Sequence, residues 1–238
     1  MYRCNVGVLD SPYLAAVAAG DAFIEGVSES GSKLAGLAAG QTMKPVYDHL
    51  VSAEGRSRGL FSETAFLQLD EVVSAARGDA SFSDEIDKHL LSRLSGGYRT
   101  FLTIDGQATR PDLEATRHRA AILENGGLGV QLLGIGVNGH VGFNEPGCEP
   151  DSRCRVTELA KSTLERNGYA PRHARSHPWH CRDHIRAADH HGGHRCGQIT
   201  RYRGHDRRIT VDRLPGQPSS GLSLIHISEP TRQHHSAY

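Results

Sequence analysis

Leu132 to Gly147 reads LLGIGVNGHVGFNEPG, and this stretch decides the fold. Val130, Leu132, Leu133 and Ile135 make a short apolar run, the pattern of a buried strand. The run ends in Gly134, Gly136 and Gly139, which let the backbone turn tightly beside a ligand. Within the next few residues come an imidazole, His140, two carboxamides, Asn138 and Asn144, and a carboxylate, Glu145. Those groups suffice for proton transfer on a small polar substrate. The three glycines also satisfy GxGxxG, but a dinucleotide site needs a helix opening directly after that spacing. Here His140 to Pro146 stands in the place of the helix, so GHVGFNEPG is the more informative feature.

Upstream, strands and helices alternate. Leu34 to Ala39 reads as a short strand running into Gly40, Gln41 and Thr42, before a helix from about Lys44 to Val51. A strand, a glycine turn and a helix start can hold an anion, because the first helical amides lack internal partners; the same residues also suit an ordinary connection. Phe66 to Asp70, FLQLD, alternates apolar and polar side chains and ends in the pair Asp70 and Glu71. In open α/β sheets, catalytic groups gather at such carboxyl ends, whereas an isolated acidic pair is simply solvated. Tyr13 to Ile24 is Ala-rich with helical spacing, Ser83 is a plausible cap for a helix from Asp84 to about Leu94, and Tyr98 to Ile104 reads as a strand. Asp112 to Glu124 reads as a helix stopped by Asn125, Gly126 and Gly127. The expected class is α/β, a doubly wound, mostly parallel Rossmann-like sheet in a single domain with right-handed connections.

Composition narrows the function. A chain of 238 residues with formal charge +0 gives no electrostatic case for nucleic acid or a membrane surface. No early apolar run of about 18 residues and no basic leader is present, so a cytoplasmic protein is expected. Cys4, Cys148, Cys154, Cys181 and Cys196 are odd in number and irregularly spaced, which argues for reduced thiols.

GIGVNGHVGFNEPG resembles the signature of the glucosamine-6-phosphate deaminase family, which includes galactosamine-6-phosphate isomerases and is related to 6-phosphogluconolactonases. The resemblance covers about Leu34 to Ala174. LAAGQTMKPVYDHL is similar to the family's phosphate-cradling loop, which implies a phosphate held by Gly40, Gln41 and Thr42; Met43 stands where Pro is usual. The acidic pair resembles the family motif that ends in Asp-Glu, implying Asp70 as the proton-transferring carboxylate with Glu71 beside the substrate. Val72, Val73 and Ser74 replace the usual aromatic and glycine there. Asp151 to Arg155 resembles (Asp or Ala)-Ser-Arg-Thr-Arg with Cys154 for Thr, so Arg153 and Arg155 pair either with phosphate or with local carboxylates. Gly168 and Tyr169 follow Asn167 where some relatives carry another phosphate-binding Arg.

The implied activity is aldose–ketose isomerisation with deamination of a hexosamine 6-phosphate. His140, oriented by Glu145, serves the ring oxygen, Asp70 moves a proton between C2 and C1, and Gly139 and Arg153 stand close to the sugar. Asn138 takes the place of an Asp in many relatives, and an amide cannot raise imidazole basicity as an anion would. No metal and no organic cofactor is implied; the partner is a small-molecule amino sugar phosphate, and a homo-oligomer stays open. FNEP counts against a 6-phosphogluconolactonase, whose relatives carry Ser-Leu-Phe-Pro after the GH. A non-catalytic sugar-phosphate sensor would need a DNA-binding helical segment, for which the residues before Leu34 are expected to be too few.

From Arg175 the apolar periodicity fails, and eleven of the fifteen histidines lie from residue 173 onward. His180, Cys181, His184, His190, His191, His194 and Cys196 can be read as a metal cluster, but they lack the paired spacing of a closed zinc site. Read one base later, the degenerate codons for Ser176 to His184 can encode Leu-Thr-Leu-Gly-Ile-Ala-x-Ile with a choice of permitted bases, similar to the family's segment after PRHA. The same shift makes Ala188 to Gln198 compatible with a buried strand followed by the family's phosphate-binding Lys. LSLIHISEPTR, Leu222 to Arg232, matches the translation of a transposase adapter used in DNA library preparation. The expected division is residues 1–174 as the sugar-phosphate domain, incomplete at its C-terminus, 175–221 as out-of-frame translation and 222–238 as an adapter-derived tail.

Overall fold

In the computed structural model the described residues are 3–31, 33–73, 81–136, 138–148, 153–167, 175–177, 208–213 and 223–228. The apolar run of the opening stretch forms β6 (Val130–Ile135), whose first four residues are buried. Its parallel neighbour is β2 (Leu34–Leu37), and β2 pairs in parallel with β3 (Ala65–Gln68), which pairs in parallel with β5 (Thr100–Leu102). Leu34, Leu37, Phe66, Leu67, Val130 and Leu132 are fully buried and make the centre of the core. A strand covered on both faces reads as a continuous apolar run, which explains LAGL and AFLQ.

Helices α1 (Pro12–Glu29), α2 (Met43–Arg56), α3 (Phe82–His89) and α4 (Pro111–Glu124) connect these strands. Ser11 caps α1 by accepting the Leu14 N–H, Pro12 opens it, and Ala16, Ala19, Phe23 and Val27 share the buried face. The helix therefore runs one turn beyond the expected Ile24. Ser81, and not Ser83, caps α3: Ser81 has extended backbone and shares a capping box with Asp84, while Ser83 already lies in the first turn. That helix stops at His89, short of the expected Leu94, and a tight 3₁₀ turn covers Leu91–Arg93.

The main sheet also contains β1 (Arg3–Val8), absent from the sequence reading, and two late strands, β9 (Arg208–Arg213) and β10 (Ser223–Ser228). Its order is β1-β9-β10-β6-β2-β3-β5, with β9 antiparallel to both of its neighbours. A small second sheet joins β4 (Glu71–Val72), β8 (Arg175–His177) and β7 (Thr157–Glu158), and α5 (Lys161–Asn167) follows β7.

From β2 the chain steps outward through β3 to β5 and then returns to β6 on the other side of β2. Right-handed crossovers put α2 and α3 on one face and α4 on the other, the doubly wound arrangement expected from the sequence. The reversal between β2 and β6 creates a crevice at their carboxyl ends, where open α/β sheets bind ligands. Among the described residues no helix is long and apolar enough to cross a membrane.

Candidate active site

Three adjacent strands deliver the sequence motifs to one edge. The carboxyl end of β6 leads to His140, that of β2 to Gly40–Thr42, and that of β3 to Asp70 and Glu71. Neighbouring strands are about 5 Å apart, so the three motifs lie side by side along one edge of the sheet.

After β6 the chain does not open a helix, which removes the dinucleotide reading of its glycines. It folds into tight turns tied by bridges of Val141 to Ile135 and to Asn144. The His140 ring lies against Gly136, where an added Cβ would come within 2.2 Å of ring atom Cε1. Phe143 takes φ 54°, a left-handed conformation rare for a bulky side chain, and is held there by burial and by the Phe82 ring 5.8 Å away. Gly142 packs on Leu69, and Phe143 shares an apolar cluster with Val72 and Leu159. The loop bearing His140 and the strand end bearing Asp70 thus share a wall.

A polar relay runs through that loop. Asn138 Nδ2 donates to Glu145 Oε2 at 2.6 Å, which turns its carbonyl oxygen toward the imidazole; Asn138 Oδ1 lies 2.7 Å from His140 Nδ1. An amide oxygen only accepts, so this contact calls for a proton on Nδ1. Glu145 itself is 3.7 Å from Nδ1, so Asn138 is the direct orienting group that the sequence reading assigned to Glu145. Glu145 Oε1 accepts the Thr163 hydroxyl at 2.6 Å and the Ala160 N–H at 3.1 Å.

The Asp70 side is dry. Asp70 is 7% exposed, and burial first, then the charge of Glu71, pushes its carboxyl up to about 8. Glu71 is also pushed up by burial, opposed by hydrogen bonds from the Val72 N–H, Gln68 Nε2 and the Phe82 N–H. Gln68 was read as the polar face of an alternating strand, yet it is fully buried. Its Nε2 donates to Glu71 Oε2 and to the Asp70 carbonyl, and its Oε1 accepts the Ile104 N–H. Both ends being satisfied, a buried amide is stable there and fixes the acidic pair.

In the β2–α2 turn, Gly40 has φ 122°, with no atom near an added Cβ, so conformation and not crowding calls for glycine. Thr42 takes the cap position of α2 without using its hydroxyl as a cap, and Gln41 is exposed. The fully buried Tyr47 donates its hydroxyl to the Ala38 carbonyl and anchors the turn. Gly139 has φ 88° and is exposed. Arg153 is exposed, while Arg155 donates to Asn144 Oδ1, the Arg153 carbonyl and Cys148 Sγ, none of them a carboxylate. Among the described residues no group of three or more His, Cys, Asp or Glu is disposed to hold a metal ion; the His- and Cys-rich run from His180 to Cys196 lies outside those residues.

Sequence reading missed Gln68, Thr163, the Ala160 N–H and the strained Phe143. The Gln two residues before an acidic pair was a usable signal. The Thr163 contact spans 18 residues and exists only through the tertiary fold.

Sheet order and crossovers define the class: an open, doubly wound α/β protein with His140, Asp70 and Glu71 at the carboxyl edge of its sheet. Over somewhat more than half of its length the chain is similar in sequence to glucosamine-6-phosphate deaminases. It is 32% identical over 145 residues to the glucosamine-6-phosphate deaminase of Oceanobacillus iheyensis, covering 60% of this chain and 58% of that protein. It is 37% identical over 145 residues to that of Bacillus velezensis, covering 60% of each. With glucosamine-6-phosphate deaminase 2 of Giardia intestinalis the identity is 39% over 134 residues, 56% of this chain and 51% of that protein. The chain thus spans just under three-fifths of the length of the curated Oceanobacillus relative. A solved monomeric glucosamine-6-phosphate deaminase shares the fold with TM-score 0.65 at 24% identity, over 74% of this chain and 76% of that one. The 6-phosphogluconolactonase of Leishmania guyanensis shares it with TM-score 0.55 at 16% identity, over 73% and 75%. No protein-family model matches the chain.

Proposed function

We propose that this edge carries out aldose–ketose isomerisation with loss of ammonia on a hexosamine 6-phosphate. The observation that carries the reading is the placement of His140, its Nδ1 2.7 Å from Asn138 Oδ1, and of the buried Asp70, its carboxyl raised to about 8, after strands of one sheet edge. His140 Nε2 exchanges a proton with the ring oxygen and opens the sugar. Asp70 takes the proton from C2 of the open aldose, giving an enol-type intermediate, and returns it to C1. Water then hydrolyses the resulting C2 imine, leaving the ketose phosphate and ammonia. A carboxyl close to neutrality suits both halves of the C2-to-C1 transfer. Gly40, Gln41 and Thr42 hold the phosphate through turn amides and a hydroxyl, and Glu71, Gly139 and Arg153 border the sugar.

The same proposal treats 1–174 as the sugar-phosphate domain, 175–221 as out-of-frame translation and 222–238 as adapter-derived. Re-reading the source DNA across codons 165 to 222 tests it: a single-base shift restoring Leu-Thr-Leu-Gly-Ile supports it, and an unbroken frame overturns it. Activity is then assayed on this chain and on the frame-restored one, with glucosamine 6-phosphate, galactosamine 6-phosphate and 6-phosphogluconolactone. The expected result is ammonia release from a hexosamine phosphate. Lactone hydrolysis without ammonia release, or sugar-phosphate binding without turnover in the frame-restored protein, would replace the reading by a hydrolase or a sensor.

A further inference from the structure

Thr163 is 1% exposed, lies in α5 and belongs to no motif. Its hydroxyl donates to Glu145 Oε1 at 2.6 Å, and the same Oγ1 lies 3.4 Å from His140 Nδ1. A hydroxyl has one hydrogen. With that hydrogen committed to the carboxylate, a lone pair faces the ring, and a contact with Nδ1 is favourable only if Nδ1 is the donor. Asn138 makes the matching bridge from the other carboxylate oxygen, Nδ2 to Oε2 at 2.6 Å and Oδ1 to Nδ1 at 2.7 Å. The two oxygens of Glu145 therefore feed two bridges to one ring nitrogen, whose single hydrogen goes mainly to Asn138 Oδ1 at 2.7 Å and in a weaker branch toward Thr163 Oγ1 at 3.4 Å. The Ala160 N–H keeps the carboxylate from rotating out of this arrangement.

We propose that Thr163 is a positioning residue for His140, a second bridge from Glu145 that holds the imidazole as the Nδ1–H tautomer. The proposal deepens the reading of His140 as the proton-transfer group and rests on it for its kinetic consequence; the tautomer itself is measurable without any substrate. The arrangement matters more here because Asn138 is neutral. An aspartate at that place would fix the tautomer by charge, whereas an amide fixes it only by orientation, and a second acceptor reinforces that orientation.

The experiment uses the full chain labelled with ¹⁵N-histidine, with His140 assigned by comparison with His140→Asn. Ring ¹⁵N shifts and turnover are measured for wild type, Thr163→Val and Thr163→Ser. Valine keeps the branched shape and loses the hydroxyl; serine keeps the hydroxyl. The wild type and Thr163→Ser are expected to show the Nδ1–H tautomer, and Thr163→Val a mixture of both. With the hexosamine phosphate, kcat falls about 10-fold in Thr163→Val with KM within about two-fold, the scale of one lost neutral hydrogen bond. On a Glu145→Ala background the same change alters kcat by less than about two-fold, because the bridge has lost its anchor. Thr163→Ala gives the same tautomer readout should the valine variant fail to fold. A pure Nδ1–H tautomer in the variants lacking the hydroxyl, or equal losses in the serine and valine variants, overturns the proposal. Absence of deaminase activity in the frame-restored wild type defeats the proposed function alone, and the tautomer measurement still decides the role of Thr163.

Discussion

Asp70 and His140 end strands that flank β2, yet the protein prepares the two groups by opposite means. Asp70 is tuned by exclusion: burial, with Glu71 beside it, raises its carboxyl to about 8. His140 is tuned by contact: a carboxylate two bonds away acts through Asn138 and Thr163 to choose which nitrogen holds the proton. The contrast teaches that a carboxylate needs a large shift to work near neutrality, whereas an imidazole needs only its tautomer set.

The largest expected effect breaks the dry half. Asp70→Asn should lower kcat by about 10³-fold, the range of a lost acid–base group, while sugar-phosphate binding persists. It should also alter stability with a defined sign. Because the folded-state pKa of Asp70 lies above its unfolded value, its stabilising contribution is complete below about pH 4 and is lost as pH rises toward about 8. The Asn variant is therefore expected to melt higher than wild type at pH 8 relative to the difference at pH 4, as calorimetry at the two pH values would reveal.

The next effect strikes the His140 half through geometry. Gly136→Ala places a methyl where the imidazole now lies, 2.2 Å from Cε1, and the ring must move. A displacement of about 1 Å costs on the order of 10²-fold in turnover, to be read as kcat with the secondary structure checked by circular dichroism. Glu71→Gln removes the charge beside Asp70 and should shift the acid limb of kcat/KM downward by about one pH unit. An unmoved limb would leave burial as the sole cause. The smallest effect sharpens the contrast: Asn138→Asp sets an anion against Nδ1 and should raise the His140 titration midpoint, followed by NMR.

Much of this was legible in the residues. Val130 to Ile135 with its terminal glycines announces a buried strand ending at a site, because both signals are local. The same holds for Gly40, whose positive φ is a property of one turn. What stayed hidden depends on distant partners. β1 is recruited by β9, some 200 residues downstream in numbering, and nothing within Arg3–Val8 announces that pairing. FLQLD looks half-exposed until Ile104 and Glu71 satisfy Gln68 inside the sheet. The capping box at Ser81 and Asp84 was visible as Ser-x-x-Asp, and the neighbouring Ser83 drew the assignment instead. Among the late strands, Arg208–Arg213 reads RITVDR, in which Ile209 and Val211 alternate with polar residues as in a strand, and it pairs with β1 and β10.

The most direct test of the division of labour is to incubate glucosamine 6-phosphate with the protein, in the frame that the source DNA supports, and with its Asp70→Asn variant in D₂O, following ammonia and the C1 position of the ketose by NMR. The account predicts ammonia and ketose 6-phosphate in equal amounts from the parent protein, with C1 hydrogen derived from C2 or solvent, and neither product from the variant. Ammonia release by the variant at the parent rate would contradict it, and would remove Asp70 from the proton transfer.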